Sequence, residues 1–106
     1  MIETKIYVGL NDSETLEQKF DTLKYVNVLK NVCKNYGIPF SISPSQGGYI
    51  HENGQYTEEI TLVISMIDVD RETVNEIAKD LCVFFHQESV LITENELRAY
   101  FVNETL

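Results

Sequence analysis

The sequence predicts an α+β fold, an antiparallel sheet with two helices on one of its faces, and three observations predict it. Apolar and polar residues alternate along several short stretches, two longer stretches between them repeat apolar residues with a helical period, and an Asn-Gly pair marks a hairpin. A chain of 106 residues suits one domain, 1–106, because a single core typically serves that length. With 43% hydrophobic residues it needs neither disulfide nor metal to fold.

Ile2 to Leu10 places Ile2, Ile6, Val8 and Leu10 on one side and Glu3, Lys5, Tyr7 and Gly9 on the other, the pattern of a strand buried on one face. Asn11 to Phe20 is polar and reads as a loop, with Thr15 and Gln18 in capping-box spacing for one helical turn. From Asp21, a good N-cap, Tyr25, Val26, Leu29, Val32, Cys33 and Tyr36 share one arc of a helical wheel while lysines and asparagines fill the other. Gly37 closes that helix. Ile38, Phe40 and Ile42 then alternate as a second strand, with Pro39 near its start.

Asn53-Gly54 is a two-residue turn signal between Tyr49–Glu52 and Gln55–Glu58, and Ile60, Leu62, Ile64 and Met66 form the inward face of the third strand. A turn of two residues at 53 and 54 pairs positions whose numbers sum to an odd value. Keeping Phe40 and Ile42 on the face of Ile64 and Met66 requires an even one. One extra residue must be absorbed, and Gly47-Gly48 predicts a bulge there.

Asp70 is the N-cap of the second helix, and Val69 is placed to staple against Val74. Val74, Ile77, Ala78, Leu81, Cys82, Phe84 and Phe85 form its apolar arc, with Val83 an apolar residue among polar neighbours. Ser89–Thr93 and Leu97–Val102 read as two short strands, an extra C-terminal hairpin. The order βαββαβ is the split arrangement of ferredoxin-like folds. No element covers the second face of such a sheet, which here carries Tyr7, Val63 and Ile67 beside Ser41, Ser43 and Ser65. That face is too apolar for plain solvent, so a homo-oligomer, dimer or higher, is expected, with Val63 and Ile67 in its interface.

The formal net charge of −9 has the wrong sign for binding by counterion release, so no direct nucleic-acid partner is expected. No apolar run reaches the roughly 18 residues of a bilayer span. The first residues also lack a basic-then-apolar secretory layout. The expectation is a cytoplasmic chain without a membrane partner. Cys33 and Cys82 lie on helical apolar arcs without metal-ligand spacing, which favours reduced core thiols over a helix-to-helix disulfide or a reactive thiol.

His86-Gln87-Glu88-Ser89 concentrates polar groups where the second helix gives way to the last strand. Glu88 or His86 could serve as a base or ligand anchor, with Gln87 and Ser89 hydrogen-bonding a ligand. The alternative is that these residues satisfy the helix end, with His86 on the dipole. His51 and Glu52 lack a third ligand, and Asp68, Asp70 and Glu72 lack the glycine and distal Glu of a calcium loop, so no metal is expected. Gln46-Gly47-Gly48-Tyr49 lacks the strand-to-helix placement of a phosphate-cradling loop. Among six tyrosines, Tyr49 and Tyr7 join His86, Gln87, Glu88 and Ser89 as candidate ligand-binding residues. No cofactor is expected and no catalytic residue is assigned.

Phe85-His86-Gln87-Glu88-Ser89-Val90-Leu91, the later Ala99-Tyr100-Phe101-Val102, the opening Tyr7-Val8-Gly9-Leu10 and the central Gly47-Gly48-Tyr49 together resemble a small uncharacterised family of bacterial and phage domains. The resemblance spans most of the chain. It implies that Gln87, Glu88 and Ser89 matter, and it implies no activity.

With no catalytic triad and a surplus of carboxylates, the expected function is that of a non-enzymatic acidic protein acting by occupancy. It would sequester a small molecule or bind a host protein, with phage or mobile-element counter-defence as an extension. The alternative is a small dimeric ferredoxin-like enzyme using Glu88 and a histidine, His86 or His51, as acid and base.

Overall fold

In the computed structural model, which describes residues 1–105, the chain runs β1 (Ile2–Gly9), α1 (Thr22–Tyr36), β2 (Ser41–Ile50), β3 (Tyr56–Ile67), α2 (Arg71–Phe84) and β4 (Leu91–Glu96). The four strands form one antiparallel sheet in the order β2-β3-β1-β4, the ferredoxin-like arrangement the element order predicts. Side-chain parity sets the register. Ile6 lies opposite both Ile64 and Ile92, and Val8 opposite Leu62, so these buried aliphatics share one face.

Against that face pack Leu29, Val32 and Cys33 of α1 and Val74, Ile77 and Leu81 of α2. Each fully buried aliphatic contributes about 1.5 to 3 kcal/mol relative to exposure. Gly37 ends α1 at φ +66, accepted by glycine without a Cβ penalty, and its N–H reaches back to the Lys34 carbonyl. Asp70 caps α2 by accepting from the Thr73 N–H at 3.0 Å and the Thr73 hydroxyl at 2.8 Å. Asp21 occupies the N-cap position of α1, yet its side chain makes no capping bond. The helices are tied together where the Tyr36 hydroxyl donates to Asp80 at 2.7 Å.

Four expectations are corrected. β2 is continuous from Ser41 to Ile50, with no bulge at Gly47-Gly48. The extra residue is absorbed in the turn itself, where His51 closes on Gln55 around a three-residue loop, Glu52 to Gly54, with Gly54 at φ +85. A three-residue loop with glycine in the left-handed region gives the even register that the core demands. The predicted C-terminal hairpin does not form. β4 is a single strand, and residues 97–105 contain neither helix nor strand. Phe84 is exposed because α2 ends there, beyond the surface it was expected to cover. The helical turn expected at Thr15 and Gln18 is replaced by a turn over 13–15 and an isolated bridge between Asn11 and Gln18.

The β2–β3 hairpin projects well past the helices. No residue from 43 to 59 is buried, and the molecule measures 57 × 27 × 25 Å. Among the described residues no helix is long and apolar enough to cross a membrane. The bare sheet face is as expected in content: Tyr7 lies between Val63 and Leu91, with Ser41, Ser43 and Ser65 alongside. Val63 is only 9% exposed within its own chain, whereas Ile67 and Leu91 are open.

Candidate functional site

The base of the projecting hairpin meets the loop after β1, and a glycine makes the meeting possible. A Cβ on Gly9 would lie 2.6 to 2.7 Å from the Glu59 carboxylate, so glycine leaves the space into which Glu59 folds. Glu59 Oε2 accepts from the Asn11 N–H at 3.0 Å, and Asn11 Nδ2 donates to the Glu58 carbonyl at 3.1 Å. The Gln87 side-chain amide donates to the Asn11 carbonyl from the other side. Asn11 therefore joins β3 to the segment that follows α2.

Asp12 anchors the same loop. It is 4% exposed, and Oδ1 accepts from the N–H groups of Glu14 (2.9 Å) and Thr15 (3.2 Å). Its Oδ2 lies 3.2 Å from Lys19 Nζ and 3.7 Å from His86 Nδ1. The two backbone donors, with help from Lys19, hold its carboxyl below the ordinary range against the opposing effect of burial.

The backbone of His86 and Gln87 ends the helix. His86 sits at φ +51, its N–H turns back to the Val83 carbonyl and the Gln87 N–H to Cys82, a Schellman closure with histidine where glycine is usual. Their remaining groups reach the loop after β1: the Ser13 N–H donates to the His86 carbonyl, and Gln87 holds Asn11. Glu88 and Ser89 are exposed in the turn before β4, and neither side chain has a hydrogen-bond partner among the described residues. Tyr49 stands out on the hairpin with its ring 4.8 Å from that of His51, and Tyr7 lies on the bare sheet face. The sequence-predicted site residues thus occupy three places, and only His86 and Gln87 converge.

Between the hairpin base and the Asn11–Gln18 loop lies an open cavity of about 520 Å³, lined by Asn11, Gln18, Gly48, Tyr56, Glu58 and Glu59 and completed by Gln46, Gly47 and Ile60. The Tyr56 hydroxyl rests over Gly48, where any Cβ would collide with it. Among the described residues, the only charged ones in the lining are the two glutamates, and no Lys, Arg or His lines it. Asn11, Tyr56, Glu58 and Glu59 are absent from the sequence prediction. The one local signal for them is the vicinal Glu58-Glu59 pair in a strand, which sends one carboxylate to each face. Among the described residues no three His, Cys, Asp or Glu side chains are grouped to hold a metal ion. Cys33 and Cys82 are both free thiols, and burial pushes Cys33 up to about 11.

No protein-family model matches the chain, and no curated protein matches it. Among solved structures it is similar to a phage SAM lyase in complex with S-methyl-5'-thioadenosine, at 27% identity over 90% of this chain and 80% of that one, with a TM-score of 0.68. The apo form of a phage SAM lyase matches at 26% identity over 89% and 78%, with a TM-score of 0.69. More distant likenesses are CutA1 from Pyrococcus horikoshii, at 15% identity over 99% and 89% with a TM-score of 0.56, and a B. subtilis GlnK-ATP complex, at 14% identity over 90% and 84% with a TM-score of 0.50. These last two show the shared ferredoxin-like fold alone.

Proposed function

We propose that this protein binds S-adenosylmethionine in the cavity at the hairpin base and cleaves it, releasing S-methyl-5'-thioadenosine. The observation that carries the reading is the charge of the lining: its only charged residues among those described are Glu58 and Glu59, of which Glu58 shares its strand face with Tyr56 and Ile60, on a chain that shares its fold and about a quarter of its residues with a phage SAM lyase. A nucleoside triphosphate would bring several negative charges to Glu58 and Glu59 without a cation to receive them. An adenosyl sulfonium with an ammonium group brings positive charge instead. Tyr56 offers a ring face for adenine, and the amides of Asn11, Gln18 and Gln46 offer hydrogen bonds to ribose.

In the reaction the bond between the sulfonium sulfur and the γ-carbon of the aminobutyryl group breaks, and both electrons leave on sulfur as the neutral thioether. The four-carbon fragment is completed by its own carboxylate closing on the γ-carbon, which moves no proton. The alternative is loss of a β-proton to a base, and Glu88 and His86, the acid and base candidates of the sequence, do not line the cavity. Lactone or alkene in the product distinguishes the two. Because the sulfonium charge disappears in the transition state, a carboxylate contributes there less than it does against the ammonium, whose charge persists.

The test is incubation of the purified protein with S-adenosylmethionine, followed by mass spectrometry of the products. S-methyl-5'-thioadenosine formed well above the spontaneous rate is expected. Glu58→Gln should raise KM about tenfold, the equivalent of one charge-assisted hydrogen bond, with a smaller change in kcat. Tight binding without product would return the protein to action by occupancy. No binding would overturn the reading. Either cleavage or sequestration would deplete a methyl donor, which connects the reading to counter-defence.

A further inference from the structure

A second cavity, of about 200 Å³, opens between the start of α2 and the β1–β4 pair, at the opposite end of β1 from the Asn11 loop. Val74 and Ile92 give it apolar wall, and Thr4, Arg71, Asn75 and Glu94 supply its polar groups. Thr4 is the unexpected member. It has the inward parity of Ile6 and Val8 and faces Glu94 across the β1–β4 ladder, yet it carries a hydroxyl where an aliphatic would fit. The residue is 3% exposed, and its hydroxyl has no hydrogen-bond partner among the described residues. Every side-chain nitrogen or oxygen sealed from water among those residues does have a partner, so this hydroxyl keeps its access through the cavity it lines. A buried hydroxyl without a partner carries a desolvation cost that a bound polar group would remove. At the rim, Arg71 Nη2 donates to Glu94 Oε1 at 2.8 Å, with the two side chains 75% and 43% exposed. One nitrogen and one oxygen are engaged, which leaves the guanidinium a free edge and the carboxylate a free oxygen. An ion pair this open to water contributes little and separates readily.

We propose that this cavity binds a free α-amino acid with a short apolar side chain, its carboxylate on Arg71 and its ammonium on Glu94. The charges select a zwitterion. An anion alone would have to draw Arg71 from Glu94 and then lie beside the abandoned carboxylate, and a cation alone would leave the guanidinium unpaired. A zwitterion exchanges one exposed pair for two and keeps the site neutral. The side chain then lies on Val74 and Ile92, while the Thr4 hydroxyl and the Asn75 amide serve the head group. The volume is below the roughly 300 to 1,000 Å³ of pockets that take drug-sized ligands, which suits a molecule of amino-acid size.

This site goes beyond the SAM reading and does not rest on it. The two cavities share no lining residue, and amino-acid binding and product formation are read by different measurements. Calorimetry and amide NMR of the full chain with L-valine, L-leucine and L-methionine test it. At least one of the three should bind and shift the amide signals of Arg71, Val74, Asn75 and Ile92, leaving those of Asn11 and Glu58 in place. The methyl ester and the N-acetyl form of the best binder each lack one charge and should bind about tenfold more weakly. Arg71→Gln and Glu94→Gln, both at exposed positions and with unchanged circular dichroism spectra, should each weaken the free amino acid by about the same factor. The N-acetyl form should bind Glu94→Gln better than it binds the wild type, because no carboxylate then opposes it. Thr4→Val keeps the shape and removes the hydroxyl, so it should weaken binding and raise the urea midpoint, whereas a threonine with a purely structural role would lower the midpoint on substitution. No binding of any of the three at about 10 mM, tenfold above a weak millimolar Kd, would overturn the proposal. So would derivatives that bind as well as the free amino acid, or affinity that survives Arg71→Gln or Thr4→Val.

Discussion

Protonation of Asp12 removes the charge that two backbone N–H groups and Lys19 receive in the folded chain. Its folded pKa lies below the ordinary 3.8, so its stabilising contribution is complete above that value and is lost as pH falls through the depressed one. Asp12→Asn should therefore destabilise the protein at neutral pH and flatten the acid limb of its stability curve. Urea midpoints taken at intervals from about pH 6 to 3 check this, and a variant whose acid limb keeps the wild-type slope would show that other carboxylates govern it. At this scale the sequence was legible only where neighbours along the chain decide the outcome, as with the Asp70 cap. Asn11 and Glu59 are 48 positions apart, and no local pattern marks a hydrogen bond between them. The His86 end of α2 was half legible: its polar run was plain, but the contact of Gln87 with Asn11 depends on where the strands bring the chain back.

Register was the most informative prediction among the elements, correct in its demand and wrong in its location. Ile42 of β2 and the preceding Phe40, set against Ile64 and Met66 of β3, demand an even pairing sum, and two adjacent glycines in β2 made a bulge attractive, but the turn is the less costly place because one glycine with positive φ suffices there. Gly54→Ala should accordingly cost about 1 to 2 kcal/mol, the penalty for a Cβ in the left-handed region. The expected lowering of the urea midpoint should come without a change in m-value. Gly47→Ala, which has open space around its Cβ position and no positive φ, should cost far less. The long exposed part of β2 was illegible for a physical reason: neither of its faces is buried, so alternation had nothing to record. α1 and α2 were legible because each buries a single stripe, and Phe84 misled only because the helix stops beneath it.

For the whole molecule, the order of elements foretold the layers, while its elongation was not foretold. The 57 Å axis arises from a hairpin that leaves the core behind. The cavity forms where that hairpin departs, a place defined by three-dimensional reach and not by any motif. Asn11 stands at the root of this arm, bonded to Glu58 and Glu59 on one side and to Gln87 on the other. It works as a fulcrum. Its hydrogen bonds connect the arm to the turn that starts β4, beside the Ser13–His86 bond of the same loop. Asn11→Ala should loosen both sides together, with faster amide exchange at the hairpin base and in residues 87–90 and unchanged exchange in the middle of α1. Exchange that quickened on one side only would mean two independent hinges. If the fulcrum is shared, whatever fills the cavity also sets the pitch of the arm.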